Sequence, residues 1–127
     1  MPTRDPFDEI EAFYEPYRKA VYTSDIAALD KMFEYPYMLS DANGTREVAD
    51  SEVYRQTCEW LRSNGAAGSN FDTFRKLRMG KDGAVVMLKY TRMHKDGSVM
   101  RKGRATYFLH HRPDGWKFVG IIDEFGD

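Results

Sequence analysis

The sequence predicts an α+β domain in which three N-terminal helices and a short hairpin precede a curved, four-stranded antiparallel meander. Two observations carry this reading. Apolar residues recur at helical spacing as far as Leu61, and three Asp-Gly pairs then separate runs rich in β-branched and aromatic residues. The pairs are Asp82-Gly83, Asp96-Gly97 and Asp114-Gly115. Asp-Gly supplies the positive φ angles that tight hairpin turns need, so the strands should follow one another in an antiparallel meander.

The first helix is expected from Asp5 to Val21, where Ile10, Phe13, Tyr14, Tyr17 and Val21 form one apolar stripe. Pro6 suits a first helical turn. Pro16 falls inside the pattern, where it removes a donor and crowds the carbonyl four residues earlier, so a kink or break is expected there. A second helix should start at Ser24 or Asp25, either a good N-cap, and run through Ile26, Leu29, Met32 and Phe33. Tyr35-Pro36 should end it, because the residue before proline is pushed out of the helical region.

Tyr37 to Leu39 reads as a short strand, and Asn43-Gly44 as a type I′ turn into Thr45–Val48. A third helix should begin at Asp50 or Ser51, with Glu52 placed to meet the helix dipole. It carries Val53, Tyr54, Thr57, Cys58 and Leu61 on its apolar face and stops at Asn64-Gly65. Residues 65–69 read as a connector. The four long strands are expected at Phe71–Met79, Ala84–His94, Val99–His111 and Trp116–Phe125. Strands this long must twist and curl, and Gly103 and Gly120 are expected bend or bulge sites. Three helices cover only one face of such a sheet, which closes it into a cone whose interior need not be filled.

At 127 residues the chain is expected to be a single domain, 1–127, large enough to bury a core without staples. Aromatic residues make up 14%, a share that favours a core of large rings or a ring-lined cavity. One cysteine, Cys58, rules out an internal disulfide and suits a reducing compartment. With no apolar run long enough to span a membrane and no signal-peptide core at the start, a cytoplasmic location is expected. Net charge is −1, unevenly spread: residues 1–70 hold 7 Lys/Arg against 13 Asp/Glu, and residues 71–127 hold 12 against 7. An acidic helical half packed on a basic sheet accounts for this, as does a basic sheet surface that recruits an anionic partner. Basic residues do not alternate with clustered aromatics on one strand face, so no nucleic-acid partner is expected.

The order of elements resembles the nuclear transport factor 2-like superfamily, including its SnoaL-like and ketosteroid isomerase-like branches with their cystatin-like cone fold. The residues that carry the resemblance are Tyr22-Thr23-Ser24-Asp25 followed by Leu29 and Phe33, and the closing Asp114-Gly115-Trp116-Lys117-Phe118. The likeness covers nearly the whole chain. The superfamily holds isomerases, cyclases, dehydratases, hydrolases and proteins without catalysis, so fold does not name function. Ketosteroid isomerases carry a tyrosine eight residues before the aspartate that opens helix two and a general-base aspartate sixteen residues after it. From Asp25 these offsets fall on Tyr17 and Asp41. The position of the family's second donor, a protonated aspartic acid on the third long strand, falls near Tyr107. The resemblance thus implies Asp41 as base and Tyr17 with Tyr107 as hydroxyl donors to a developing oxyanion.

Each of these residues also has a structural reading. Asp41 lies two residues before a turn, where aspartate is common, and Tyr17 belongs to a core stripe. Tyr14, Tyr35, Tyr37, Trp60, Trp116 and Phe118 are candidate pocket residues for a flat apolar molecule, or core. His94, His110 and His111 lack zinc-site spacing, and adjacent His110 and His111 must point to opposite faces. Asp123 and Glu124 also point to opposite faces, so one of them could reach a cavity rim. No metal and no cofactor are expected. Two functional expectations follow: a small-molecule-binding domain acting as a cofactor-independent isomerase or lyase, and a non-catalytic dimeric domain that binds a ligand or protein. In both, a small apolar ligand and a homodimer through the sheet are the expected partners.

Overall fold

The amphipathic stripe of the first segment folds as α1, Pro6–Tyr22, with Ile10, Tyr14, Tyr17 and Val21 buried. The computed structural model describes residues 6–125, so the expected start at Asp5 lies outside the described residues. The helix runs unbroken through Pro16. Pro16 and Ala12, whose carbonyl loses its partner, are both exposed, so water can satisfy that carbonyl.

Helix α2 is shorter than expected, Ile26–Asp30. Asp25 caps it by accepting the Ala28 amide at 3.1 Å. Met32 and Phe33 leave the helix because Phe33 opens strand β1, Phe33–Asp41, where it pairs with Phe118. Tyr35-Pro36 therefore lies inside a strand, not at a helix end. Pro36 falls between Phe33 and Met38, where the ladder to the neighbouring strand is interrupted, so no pairing donor is demanded of it. Strand β2, Gly44–Val48, pairs antiparallel with β1, and α3 follows at Glu52–Ser63. At the start of α3 the Asp50 carboxylate accepts the Glu52 amide, and Gly65 at φ 73° follows its end.

Residues 66–69 are strand, not connector: β3 spans Ala66–Met79, with β4 at Gly83–His94, β5 at Val99–Arg112 and β6 at Gly115–Phe125. The meander and the hairpin are one six-stranded sheet in the order β2-β1-β6-β5-β4-β3, with β1 parallel to β6. The turns use glycine one step later than expected. Gly44, Gly97 and Gly115 take positive φ, but Gly83 does not. Ser24 is the only non-glycine among the described residues with positive φ. Neither Ala42-Asn43 nor Pro113-Asp114, the two-residue loops, is therefore type I′, which needs positive φ at both central positions.

One aromatic core joins the layers. The Tyr14 ring meets Phe71, Phe74, Tyr107 and Phe118 at centroid distances of 5.0–6.2 Å, mostly edge to face. Inward positions alternate along β4 (Ala84, Val86, Leu88, Tyr90) and β5 (Gly103, Ala105, Tyr107, Leu109). Gly103 serves close approach, not a bulge. It faces Tyr90 across the ladder, and a Cβ there would sit 2.5 Å from Tyr90 Cζ. Among the described residues no helix is long and apolar enough to cross a membrane.

Candidate functional site

A break in the alternation of β6 supplies the site's central charge. Trp116 and Phe118 face inward, and continued alternation would bring Gly120, Ile122 and Glu124 to that side. Instead the register against β5 slips between the Leu109–Phe118 and Phe108–Gly120 pairs, leaving Val119 as an extra residue. From there Ile121 and Asp123 face inward, while Ile122 and Glu124 are exposed and Glu124 pairs with Arg104.

Asp123 lines a cavity of about 470 Å³ between the sheet and helices α1 and α3. It accepts a hydrogen bond from the Tyr90 hydroxyl at 3.2 Å. Burial pushes its carboxyl above the usual carboxylate range, against the opposing pull of that hydrogen bond and of the Arg92 and Arg101 charges. Three phenols, Tyr17 from α1, Tyr54 from α3 and Tyr107 from β5, line the same cavity. The Tyr17 and Tyr54 hydroxyls are hydrogen-bonded, and Tyr107 interacts with Tyr17. Burial raises all three well above an ordinary phenol, so they are neutral hydroxyls at any working pH. Tyr37 also lines the cavity, and its buried hydroxyl has no partner among the described residues.

Asp41 lines the cavity too, at the β1–β2 hairpin end, but its carboxylate is engaged. Arg46 binds it through both terminal nitrogens at 3.0 and 3.3 Å, and the Asn43 amide donates to it at 2.8 Å. The Arg46 hydrogen bonds hold its carboxyl below the usual range, against a smaller effect of burial. Arg92 and Arg101 extend the inward series of β4 and β5 and face each other directly across the ladder. The Arg92 guanidinium lies 5.3 Å from the Tyr90 ring centre and donates to the Tyr22 hydroxyl at 3.0 Å. That of Arg101 lies 4.9 Å from the Trp60 ring centre.

The cavity thus gathers Tyr17, Tyr107, Asp41, Tyr37 and Trp60. Four expected pocket residues lie elsewhere. Tyr14 and Phe118 are fully buried in the aromatic core, and Trp116 is buried against the His111 ring at 4.4 Å. Tyr35 donates to Asp30 at 2.9 Å and packs beside the Phe33 and Tyr37 rings. Large rings at helical or strand spacing mark a core and a cavity wall alike, so pattern did not separate them. His110 joins a surface cluster with Glu34 and Arg112, and neither it nor His94 nor His111 lines the cavity. Burial raises the Cys58 thiol, consistent with packing. Tyr54, Tyr90, Arg46, Arg92 and Arg101 were not anticipated as site residues; inward parity on β4 and β5 was the available signal for three of them. Among the described residues no group of three or more His, Cys, Asp or Glu side chains could hold a metal ion.

Comparison with solved structures finds the same fold throughout. An NTF2-like protein with a cystatin-like fold from Novosphingobium aromaticivorans is 13% identical, with 96% of this chain and 82% of that one covered at a TM-score of 0.78. A nuclear transport factor 2 superfamily protein from Salmonella enterica is 14% identical, with 96% and 92% covered at 0.73. A second Novosphingobium protein, provisionally described as an aromatic ring hydroxylase, is 21% identical, with 98% and 91% covered at 0.71. No curated protein matches the sequence. The family described as NTF2-like protein (DUF6841) matches residues 8–124. With that match spanning nearly the whole chain, and a curved sheet closed by N-terminal helices, the chain belongs to the NTF2-like family DUF6841.

Proposed function

We propose that the chain binds a small organic carbonyl compound in this cavity and moves a proton on it without a cofactor, as an isomerase or lyase. The observation that carries the reading is the Asp123–Tyr90 pair, set in one cavity with the Tyr17, Tyr54 and Tyr107 hydroxyls. Asp123 takes a proton from the carbon next to the carbonyl, and the bonding pair moves onto the carbonyl oxygen. The hydroxyls of Tyr17 and Tyr107 donate to that oxyanion. The carboxylic acid then returns the proton to another carbon, or to a departing group. Asp123 suits this work better than Asp41, because general acid–base catalysis favours a carboxyl raised toward neutrality and Arg46 draws Asp41 the other way.

The cavity volume is within the range of sites for drug-sized molecules, about 300–1,000 Å³. The hydroxylase description of the Novosphingobium structure supports an aromatic ligand. We further propose a homodimer through the outer sheet face, where Met38, Phe108 and Ile122 expose 47%, 39% and 37% of their surface. A second reading is binding without catalysis. The Tyr17–Tyr54 hydrogen bond and the Asp41–Arg46 ion pair favour it, since both satisfy polar groups with no substrate present.

The test is proton exchange in D2O, followed by NMR over a panel of aromatic and alicyclic ketones and keto acids. Enzyme-dependent exchange next to the carbonyl, lost in Asp123→Asn while the compound still binds, is expected. Exchange that survives Asp123→Asn removes Asp123 from the role, and binding without any exchange establishes the second reading.

A further inference from the structure

We propose that Tyr22 and Arg92 are positioning residues for the Asp123–Tyr90 pair, with Tyr22 fixing the Arg92 guanidinium over the Tyr90 ring so that its charge bears on the carboxyl. The inference rests on the proton-transfer reading above and goes beyond it, since neither residue has a part in that chemistry. Four side chains from three elements form one chain of contacts. Tyr22 closes α1, and its hydroxyl accepts from Arg92 Nε at 3.0 Å. The Arg92 guanidinium then lies 5.3 Å from the Tyr90 ring centre. Tyr90, two residues earlier on the same face of β4, fills the space that Gly103 leaves and donates to Asp123 at 3.2 Å. All four side chains line the cavity.

The tie to Tyr22 decides what Arg92 does there. Arg46 binds Asp41 through two hydrogen bonds, which occupy that carboxylate. Arg92 gives its hydrogen bond to Tyr22 instead and reaches Asp123 through charge alone. The groups that act on Asp123 are Tyr90 and Arg92 from β4, Arg101 from β5 and Asp41 from the hairpin, together with the Tyr54 and Tyr107 phenols. Burial raises the Asp123 carboxyl, and the Tyr90 hydrogen bond and the arginine charges oppose it. A buried carboxyl with no cation near it stays protonated and is no base. A cation bound to it directly takes the lone pairs a substrate proton needs. A guanidinium anchored over the neighbouring ring avoids both.

The experiment follows the Asp123 carboxyl carbon by NMR through a pH titration of the full chain, with the signal assigned by its loss in Asp123→Asn. Arg92→Met keeps an apolar stem and removes the charge, so the titration should move to higher pH. Tyr22→Phe should move it the same way by a smaller step, and should add nothing in the Arg92→Met background. Arg92→Lys, which keeps the charge, should return most of the shift. At a pH below the titration, each unit of upward shift should slow substrate deuterium exchange about tenfold. A titration unmoved by Arg92→Met overturns the inference. So does a downward shift in Tyr22→Phe, or an upward one of equal size with and without Arg92. Where the arginine variants fold poorly, Tyr22→Phe decides alone, and an unmoved titration there overturns the inference. The titration needs no substrate, so absence of exchange with every compound removes the proton-transfer reading while the NMR shifts still decide the positioning.

Discussion

Replacing Gly103 with alanine isolates the contact that positions Tyr90 against Asp123. The Gly103 backbone is not in the positive-φ region, so the substitution adds bulk without backbone strain. The new Cβ would lie 2.5 Å from Tyr90 Cζ and 3.0 Å from Cε1, well inside van der Waals contact. Tyr90 is 6% exposed, and the space open to its ring is the cavity it lines, so a retreat displaces its hydroxyl from the bond to Asp123. Overpacking of this kind costs about 1–3 kcal/mol. The narrower unfolded ensemble of alanine returns about 0.4–1 kcal/mol of it, which at the middle of both ranges leaves a net loss of about 1–2 kcal/mol. At about 2.1 cal/mol/K per residue over 127 residues, the unfolding entropy is about 0.27 kcal/mol/K, so Tm should fall by about 4–7 °C. Calorimetric melts of wild type, Gly103→Ala, Tyr90→Ala and the double variant complete the cycle. In the Tyr90→Ala background, with the clash gone, the alanine at 103 should instead stabilise by about 0.4–1 kcal/mol. An equal loss in both backgrounds would refute the contact as the cause.

Two other outcomes follow from the geometry. Burial raises the Asp123 carboxyl, so its effect on stability is neutral below the ordinary aspartate value near 4 and turns unfavourable as pH rises through the raised folded value. Asp123→Asn should therefore melt close to wild type near pH 3.5 and above it at pH 7, and a variant less stable than wild type at pH 7 would reverse the sign. On the outer face, Phe108→Glu should convert a dimer to a monomer in sedimentation equilibrium, because the Phe108 ring lies over Gly120 beside Met38 and Ile122. A wild-type monomer at every accessible concentration would remove the proposed dimer.

Turn chemistry and hydrophobic period made most elements legible. Three of the four meander strands lie within one residue of their expected bounds, β3 begins five residues earlier than expected, and the Asn64-Gly65 stop of α3 falls where glycine takes positive φ. What local pattern could not carry was pairing between distant segments. Met32 and Phe33 continue a helical stripe, and only the Phe33–Phe118 ladder contact, 85 positions apart in the chain, makes Phe33 a strand residue. The parallel β1–β6 seam is a contact of the same kind, since no turn joins those strands. A large ring likewise reads the same whether its far side meets another ring, as Tyr14 does, or the cavity, as Tyr17 does.

The charged groups of the site divide along the same line. Counting back from a two-residue Asp96-Gly97 turn would pair residue 95 with 98, but the ladder beside the turn pairs Met93 with Val99, and a register shift before Arg92 produces the Arg92–Arg101 pair. The position of Arg92 and Arg101 on the Tyr90 face was therefore readable from alternation, while their pairing, which depends on that shift, was not. Asp123 was not readable in this way. Alternation from Trp116 and Phe118 sends Asp123 outward and Glu124 inward, and only the extra residue at Val119 exchanges them. Gly120 marks the neighbourhood of that bulge, but glycine does not reveal whether one residue or none is inserted. A single backbone irregularity thus decides which carboxyl faces the two arginines. Straightening the strand would bury Glu124 and expose Asp123, while every hairpin and every hydrophobic period in the sequence stayed the same.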